Sequence, residues 1–231
     1  MKKHQNVVPD MSYPINEIFY SFQGEATFAG TPSVFVRLQG CDVGCAFCDT
    51  KHTWTLEDSH IVSVSEVLAK EQDSPQYANF TENEILAEIS KYAKCRHVVF
   101  TGGEPAQYNL KELIVSLEKL NYSVQIETSA TEKLNVSAKT WVTVSPKIAM
   151  PGKKALVFES VMRADEIKMP VGRIEDIKKL KNFIQEYNIS AKPIWLQPLS
   201  CNKKATELCV NAALENNWKV SLQIHKFLNI R

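Results

Sequence analysis

The chain has 231 residues, 27 Lys and Arg against 26 Asp and Glu, and is 44% hydrophobic and 23% charged, which excludes a disordered or fibrous protein. A net charge of +1 gives no broad field for a nucleic-acid backbone, and no apolar run approaches the ~18 to 20 residues that span a bilayer. A chain this long buries about 70% of its unfolded surface without disulfides or metal, so any metal site must be explained by chemistry. Met1-Lys2-Lys3-His4-Gln5-Asn6 has no apolar stretch behind its basic residues. No secretory signal is therefore expected, the cytoplasm is the expected compartment, and the six cysteines are expected as thiols or ligands.

The first predicted strand, Ser33 to Leu38, is rich in Val and Phe and leads into Gly40-Cys41. Residues 52–80 are the least regular stretch and read as a surface insertion in a single domain spanning 1–231. Thr81-Glu82-Asn83-Glu84 is a capping box, with Ile85, Leu86 and Ile89 following on one helical face. A strand at His97 to Phe100 ends in Thr101-Gly102-Gly103-Glu104-Pro105, and a helix from about Asn109 carries Leu110, Leu113, Ile114, Leu117 and Leu120. Val124 to Ile126 leads to Glu127-Thr128-Ser129, and Trp141 to Val144 to Ser145-Pro146-Lys147. A helix with Ile174, Ile177, Leu180 and Ile184 precedes a strand at Ile194 to Leu196, which ends in Gln197-Pro198. The helix Lys203 to Asn216 buries Ala205, Leu208, Cys209 and Ala212, and a last strand, Val220 to Ile224, ends in His225-Lys226.

Strands alternating with helices imply parallel pairing through right-handed crossovers. The expected fold is α/β, a partial or modified (β/α) barrel with its active site at the C-terminal ends of the strands. Six polar clusters at successive strand ends would then face one space.

Cys41, Cys45 and Cys48 form C-x3-C-x2-C on one loop, while Cys95, Cys201 and Cys209 are scattered and read as structural or incidental. Three close thiolates are one short of a complete structural site. Either a distant fourth ligand completes it, or an iron is left open to bind a substrate or cofactor directly. Gly44 permits a tight wrap, and Phe47 can shield one side. Zinc is the competing reading: His52, four residues after Cys48, would complete a Cys3His site of the kind found in RNA-binding modules. That reading leaves the six polar strand ends without a role.

The cysteine loop after a first strand, with Gly102-Gly103-Glu104-Pro105 after a second, resembles the radical S-adenosylmethionine superfamily. The resemblance implies a 4Fe-4S cluster on Cys41, Cys45 and Cys48 whose open iron is chelated by S-adenosylmethionine, and a 5'-deoxyadenosyl radical formed by one-electron cleavage. It also implies backbone contacts from Gly102, Gly103 and Glu104 to the methionine amino group. An activase that installs a glycyl radical on a partner would share these features, but the first forty residues argue against it.

A narrower resemblance, to the 7-carboxy-7-deazaguanine synthase family, covers nearly the whole chain. It rests on Pro14-Ile15-Asn16-Glu17-Ile18-Phe19, Ser21-Phe22-Gln23-Gly24-Glu25, Phe35-Val36-Arg37-Leu38-Gln39-Gly40-Cys41, Cys48-Asp49-Thr50-Lys51-His52-Thr53-Trp54, Gln125-Ile126-Glu127-Thr128-Ser129, Trp141-Val142-Thr143-Val144-Ser145-Pro146-Lys147 and Gln223 to Ile230. It implies contraction of 6-carboxy-5,6,7,8-tetrahydropterin to 7-carboxy-7-deazaguanine with loss of ammonia, on the way to queuosine. By the same resemblance Phe22, Gln23 and Gly24 meet the pterin edge, Arg37 holds the carboxylate, and Glu25 and Thr101 lie on the substrate side. Glu127 and His225 are the implied catalytic residues, and Ser145, Pro146, Lys147 and Gln197 belong to the cofactor side. Thr50 is the implied Mg2+ ligand, the partner an electron donor such as a flavodoxin or ferredoxin, and the assembly a homodimer with no direct nucleic-acid or membrane contact. Two departures stand out: Ala26 and Ala130 occupy positions that are glycine in the family pattern, which matters if the backbone there needs positive φ.

The spacing yields a direct test. Alanine at Cys41, Cys45 or Cys48 is expected to abolish bound iron and acid-labile sulfide in anaerobically purified protein, whereas alanine at Cys95, Cys201 or Cys209 leaves both intact.

Overall fold

In the computed structural model, which describes residues 11–230, nine strands form one open sheet. Strand β1 (Ser12–Phe22) runs antiparallel to β2 (Pro32–Leu38) and to the short edge strand β3 (Ala78–Thr81). From β2 onward every pairing is parallel: β4 (His97–Gly102), β5 (Ser123–Thr128), β6 (Trp141–Val144), β7 (Glu166–Val171), β8 (Ile194–Pro198) and the two-residue β9 (Lys219–Val220). The order is β3-β1-β2-β4-β5-β6-β7-β8-β9, with no pairing between the outer strands. This is an α/β partial barrel.

Helices α1 (Val64–Leu68), α2 (Glu82–Ser90), α3 (Lys111–Lys119), α4 (Phe158–Arg163), α5 (Ile174–Tyr187), α6 (Lys203–Asn216) and α7 (Ile224–Leu228) complete the chain. Local sequence sets their ends. Thr81 and Glu84 cap α2 reciprocally, and Asn202 caps α6 through the Lys204 and Ala205 amides. Asn188 and Asn217 close α5 and α6 in the left-handed conformation that Asn tolerates.

Period-two alternation divides each parallel strand between two environments. Val34, Val36, Leu38, Val98, Phe100, Val124, Ile126, Val142, Val144, Ile167, Ile194 and Leu196 belong to one contiguous apolar core beneath the helices. The intervening residues point into the barrel: Phe35, Arg37, Val99, Thr101, Glu127 and Lys168 all line its cleft, and Gln125 and Thr143 are fully buried beneath them.

Several elements differ from the sequence expectation. The strands β1, β3 and β7 and the helices α1 and α4 are additional. The expected last strand stops at Val220, and Ile224 and His225 instead begin α7. Leu120, expected on the buried face of α3, is its C-cap residue and 52% exposed. In β2, Phe35 and Arg37 face the cleft while Val34, Val36 and Leu38 face the apolar core. The Arg231 carboxylate and the Cys201 side chain lie outside the described residues.

Because β9 has two residues and pairs only with β8, the barrel interior is filled by the loop after β1. Phe28 packs tilted against His97 at 4.4 Å and edge-to-face against Trp141 at 5.2 Å between ring centroids. Thr27 donates from its hydroxyl to Glu166 at 2.5 Å, and Ala26 N–H donates to Ser221 Oγ at 2.9 Å. Ala26 (φ 55) and Ala130 (φ 60) both adopt the left-handed conformation, a cost of roughly 1–2 kcal/mol for a residue with a Cβ. The departures from glycine therefore fall at positions where glycine would be unstrained.

Residues 52–77 are pinned to β1 at a bulge between Ile15 and Glu17. Asn16, fully buried, donates to Gln39 Oε1 at 2.8 Å and to the carbonyls of Ser74 and Gln76 at 2.9 and 3.1 Å. Lys70 Nζ donates to Asn16 Oδ1 and to the Asn16, Ser74 and Gln76 carbonyls. Gln39 in turn donates to the His52 and Thr55 carbonyls. Asn16→Ala strands several of these groups and is expected to destabilise the fold by about 2–4 kcal/mol, read as a fall in denaturant midpoint at unchanged slope.

Candidate active site

The C-terminal ends of β2, β4, β5, β6, β7 and β8 open into one cleft. Every residue expected at the site lines it except Pro146: Phe22, Gln23, Gly24, Glu25, Arg37, Cys41, Cys45, Cys48, Thr50, Thr101, Gly102, Gly103, Glu104, Glu127, Ser145, Lys147, Gln197 and His225. Pro146 is buried beside it.

At one end lies the cysteine loop. Cys41, Cys45 and Cys48 are free thiols. Gly44 turns at φ +70, close against Gly152. Trp54 Nε1 donates to Cys48 Sγ at 3.3 Å, the kind of contact that tunes a metal-bound thiolate. Burial pushes the Cys41 thiol up to about 11, reinforced by Glu104 and the neighbouring cysteines. Burial also raises Cys45, which Lys147 opposes. Three thiolates here need a strongly cationic partner, and the donor set fits an iron–sulfur cluster. It does not fit a single zinc. A cluster takes each of the three thiolates on a different iron, and the zinc reading would need His52 as its fourth ligand. His52 points away from the cleft, with Nε2 4.0 Å from Asp73.

The Gly102-Gly103 turn abuts the cysteine loop for a steric reason. A Cβ on Gly102 would lie 2.3 Å from the Leu38 carbonyl, and one on Gly103 would lie 2.0 Å from that of Gly40. Gly103 N–H and Glu104 N–H donate to those same two carbonyls, at 2.9 and 2.8 Å. The glycines thus let β2 and β4 close together at the root of the cysteine loop, a stronger requirement than the cofactor approach expected from sequence. Glu104 is 2% exposed, and its carboxylate accepts from Thr128 Oγ1 at 2.6 Å, from Ala106 N–H at 3.0 Å, and from Ser129 N–H at 2.8 Å. That side chain latches the end of β5 and is not free for a cofactor.

The other end of the cleft is charged. Arg37 Nε donates to Glu17 Oε1 at 2.5 Å, and its guanidinium lies 5.6 Å from the Phe19 ring. This orients the remaining fork of donors. Opposite, Lys168 Nζ contacts both Glu25 Oε2 and Glu127 Oε2. Glu25 Oε1 accepts from Gln223 at 2.8 Å and Gln197 at 3.0 Å, which engages the Gln197 amide with the protein. Burial alone would raise the Glu25 carboxyl, but Lys168, with help from Gln223, holds it at about 2. Burial raises Glu127, against the pull of Lys168 and with repulsion from Glu25. Burial also lowers Lys147, whose Nζ donates to Ser145 O at 2.9 Å and Oγ at 2.5 Å. His225 is pushed down by burial and packs on Gly24, where a Cβ would sit 2.1 Å from its Nδ1.

Lys168 and Gln223 are site residues that motif reading missed. The signal for Lys168 was the gap between the predicted strand at Trp141 to Val144 and the helix at Ile174, which an alternating fold should fill with a strand.

An open α/β barrel with three thiols on the loop after a parallel strand and a Gly-Gly-Glu-Pro turn beside them defines a radical S-adenosylmethionine enzyme. Residues 35–189 match the Radical SAM superfamily. The 7-carboxy-7-deazaguanine synthase of Escherichia coli (strain K12) is 46% identical over 223 residues, covering 95% of this chain and all of that protein. Those of Buchnera aphidicola and Bacteroides thetaiotaomicron are 44% and 39% identical, each over 96% of this chain and the whole relative. The crystal structure of QueE from Escherichia coli superposes with a TM-score of 0.88 at 44% identity, covering 92% of this chain and 94% of that one. The chain belongs to the 7-carboxy-7-deazaguanine synthase family of radical S-adenosylmethionine enzymes, whose superfamily works with a 4Fe-4S cluster and S-adenosylmethionine. Among the described residues no helix is long and apolar enough to cross a membrane.

Proposed function

We propose that the chain converts 6-carboxy-5,6,7,8-tetrahydropterin to 7-carboxy-7-deazaguanine with loss of ammonia, in the route to queuosine. The observation that carries this reading is the polarity of the cleft. A guanidinium at Arg37 suits a carboxylate, and an acceptor pair at Glu25 and Glu127 suits ring and amino N–H donors, both beside three free cysteine thiols. Cys41, Cys45 and Cys48 would hold the cluster, which with S-adenosylmethionine would supply the radical chemistry that abstracts hydrogen from the substrate.

The chain's own residues then position the pterin and move its protons. Phe22, Gln23 and Gly24 border the ring, with Gln23 Nε2 fixed by Gln125 Oε1 at 3.1 Å and Glu127 Oε1 at 3.2 Å. Thr101 lies on the same wall. Ser145, Lys147 and the Gly102 to Glu104 backbone serve the S-adenosylmethionine side, with Gln197 acting through Glu25. His225, kept neutral at pH 7 by its burial, can accept a proton at an imidazole nitrogen. Glu127, which Lys168 pulls toward the ionised form against its burial, accepts from the substrate and can pass a proton so gained toward the departing amine. Thr50 Oγ1, 3.6 Å from Cys48 Sγ at the cleft wall, would give Mg2+ one hard oxygen, with substrate oxygens and water completing its shell. A flavodoxin or ferredoxin as reductant, a homodimer, a cytoplasmic location and a single domain with a surface insertion at 52–80 complete this reading.

Anaerobic turnover of pterin deuterated at C6 tests the function: deuterium is expected in the 5'-deoxyadenosyl group of the cofactor, and product formed with no transfer overturns the hydrogen-abstraction step. The roles of Arg37 and Thr50 are separable. Loss of a desolvated charge contact costs about 2 to 5 kcal/mol, so Arg37→Ala is expected to raise KM at least thirtyfold at every Mg2+ concentration. Thr50→Ala shifts the Mg2+ dependence instead, and added metal partly restores activity. A Mg2+ titration of both variants checks this.

A further inference from the structure

The proposed reaction uses Glu25 and Glu127 but does not explain how two carboxylates can share the floor of one cleft. Both side chains are mostly withdrawn from water, at 15% and 14% exposure, and the Lys168 side chain between them is 6% exposed. Each carboxylate touches the same ammonium through its Oε2, so the two lie within a few ångströms of one another. Their other oxygens are held by neutral amides: Glu25 Oε1 by Gln197 and Gln223, and Glu127 Oε1 by Gln23 at 3.2 Å and Gln125 at 3.4 Å. Neutral amides fix direction but supply no charge.

We propose that Lys168 is a positioning residue: its ammonium holds Glu25 and Glu127 as a fixed pair of ionised acceptors, so that the cleft selects a flat heterocycle presenting N–H donors at that edge. The proposal rests on the reading of the cleft as a pterin site.

Among the described residues no other cation contacts these two carboxylates. Glu166, on the same strand, is acidic and accepts from Thr143 Oγ1 at 2.7 Å and from Thr27. Lys147, beyond β6, donates to Ser145 and acts on Glu127 through charge alone, without a hydrogen bond to it. His225, on α7, is driven toward neutrality by burial, and Asp49 and Lys226 act on it from farther along the rim. Two carboxylates left without a cation at this separation share a proton. One of the two acceptors then becomes a donor, facing a substrate edge that also donates. The sign follows: without Lys168 the acceptor pair is lost at low pH and recovered as rising pH removes the shared proton.

Lys168→Met, Lys168→Arg and the double variant Lys168→Met/Glu25→Gln, compared with wild type over pH 6 to 9 in anaerobic turnover of the carboxylated tetrahydropterin, test this. Thermal unfolding and iron content verify the fold of each. Lys168→Met is expected to raise KM about tenfold or more at pH 7 with a smaller change in kcat, its KM falling as pH rises. Lys168→Arg, which keeps the charge, should retain the wild-type pH profile. The double variant, with one carboxylate left, should show a high KM that no longer depends on pH in this way. A wild-type KM and profile in Lys168→Met, or a KM raised equally at all pH, overturns the proposal, as does an Lys168→Arg profile that follows Lys168→Met. Should Lys168→Met not fold, the Lys168→Arg and double-variant profiles decide the same question. Failure of wild type to convert the pterin rejects the substrate reading and this inference together; wild-type turnover with unaltered variants rejects the inference alone.

Discussion

One ammonium group between two carboxylates organises the functional half of this molecule. Removing three charges from water costs several kcal/mol for each ion, and mutual attraction offsets this only when the remaining lone pairs are also satisfied. Here the amides of Gln23, Gln125, Gln197 and Gln223 meet that demand. They come from the loop after β1, from β5, from the end of β8 and from the residue before α7. The charged centre therefore forms only when four separate pieces of chain have reached their places, which couples assembly of the cleft to completion of the fold.

The same centre helps tie together the two sides of an open sheet. With β9 reduced to two residues, no hydrogen-bond ladder joins the last strand to β1. Side-chain and loop contacts do the joining: Ala26 N–H to Ser221 Oγ, Ile224 N–H to the Gly24 carbonyl at 3.1 Å, and Gln223 to Glu25. Gly24 is needed because α7 brings His225 onto it. The join is thus made of short loops and a five-residue helix in place of a strand ladder. At the opposite wall, Gly102 and Gly103 draw β4 against β2 and set the height from which the cysteine loop springs.

Much of this was legible in the letters, and the failures have a common cause. Strand and helix patterns with apolar outer residues, such as Val98-Val99-Phe100 or Ile177, Leu180 and Ile184, announce themselves because the core rewards them. Strand β7, Glu-Ile-Lys-Met-Pro-Val, was hidden because its inward residues are Glu166, Lys168 and Pro170, the types that β propensity counts against. Its outward Ile167, Met169 and Val171 are buried in the ordinary way. The polar residues that mask the strand are the ones that build the site, so a reading driven by hydrophobicity loses the element where function is densest. The last strand failed differently. Val220 to Ile224 looks continuous in composition, yet Ser221 and Gln223 turn inward to Ala26 and Glu25, and the chain leaves the sheet to begin α7. No local pattern encodes that departure, because its cause is the loop after β1, some two hundred residues earlier.

The two alanines at positive φ follow from the same constraint. Ala26 sits in the loop that fills the barrel, and Ala130 follows the strand end that Glu104 latches. Both are almost completely buried, and each amide is engaged, Ala26 by Ser221 and Ala130 by Thr128 Oγ1 at 3.1 Å. Ala130 also accepts from Val157 N–H at 2.8 Å. A left-handed alanine persists only where surrounding contacts over-determine the backbone. These two positions are over-determined because the loops they belong to carry Glu25 and Ser129 to fixed places around the cleft. A methyl group buried in the core offsets part of the strain, roughly 0.8 kcal/mol for a carbon of that size, and the conformational entropy that glycine would lose on folding offsets roughly 0.5–1 kcal/mol more. The replacement of glycine is thus close to neutral in stability, and the geometry of the cleft, which tolerates no shift in either loop, decides where such a replacement can stand.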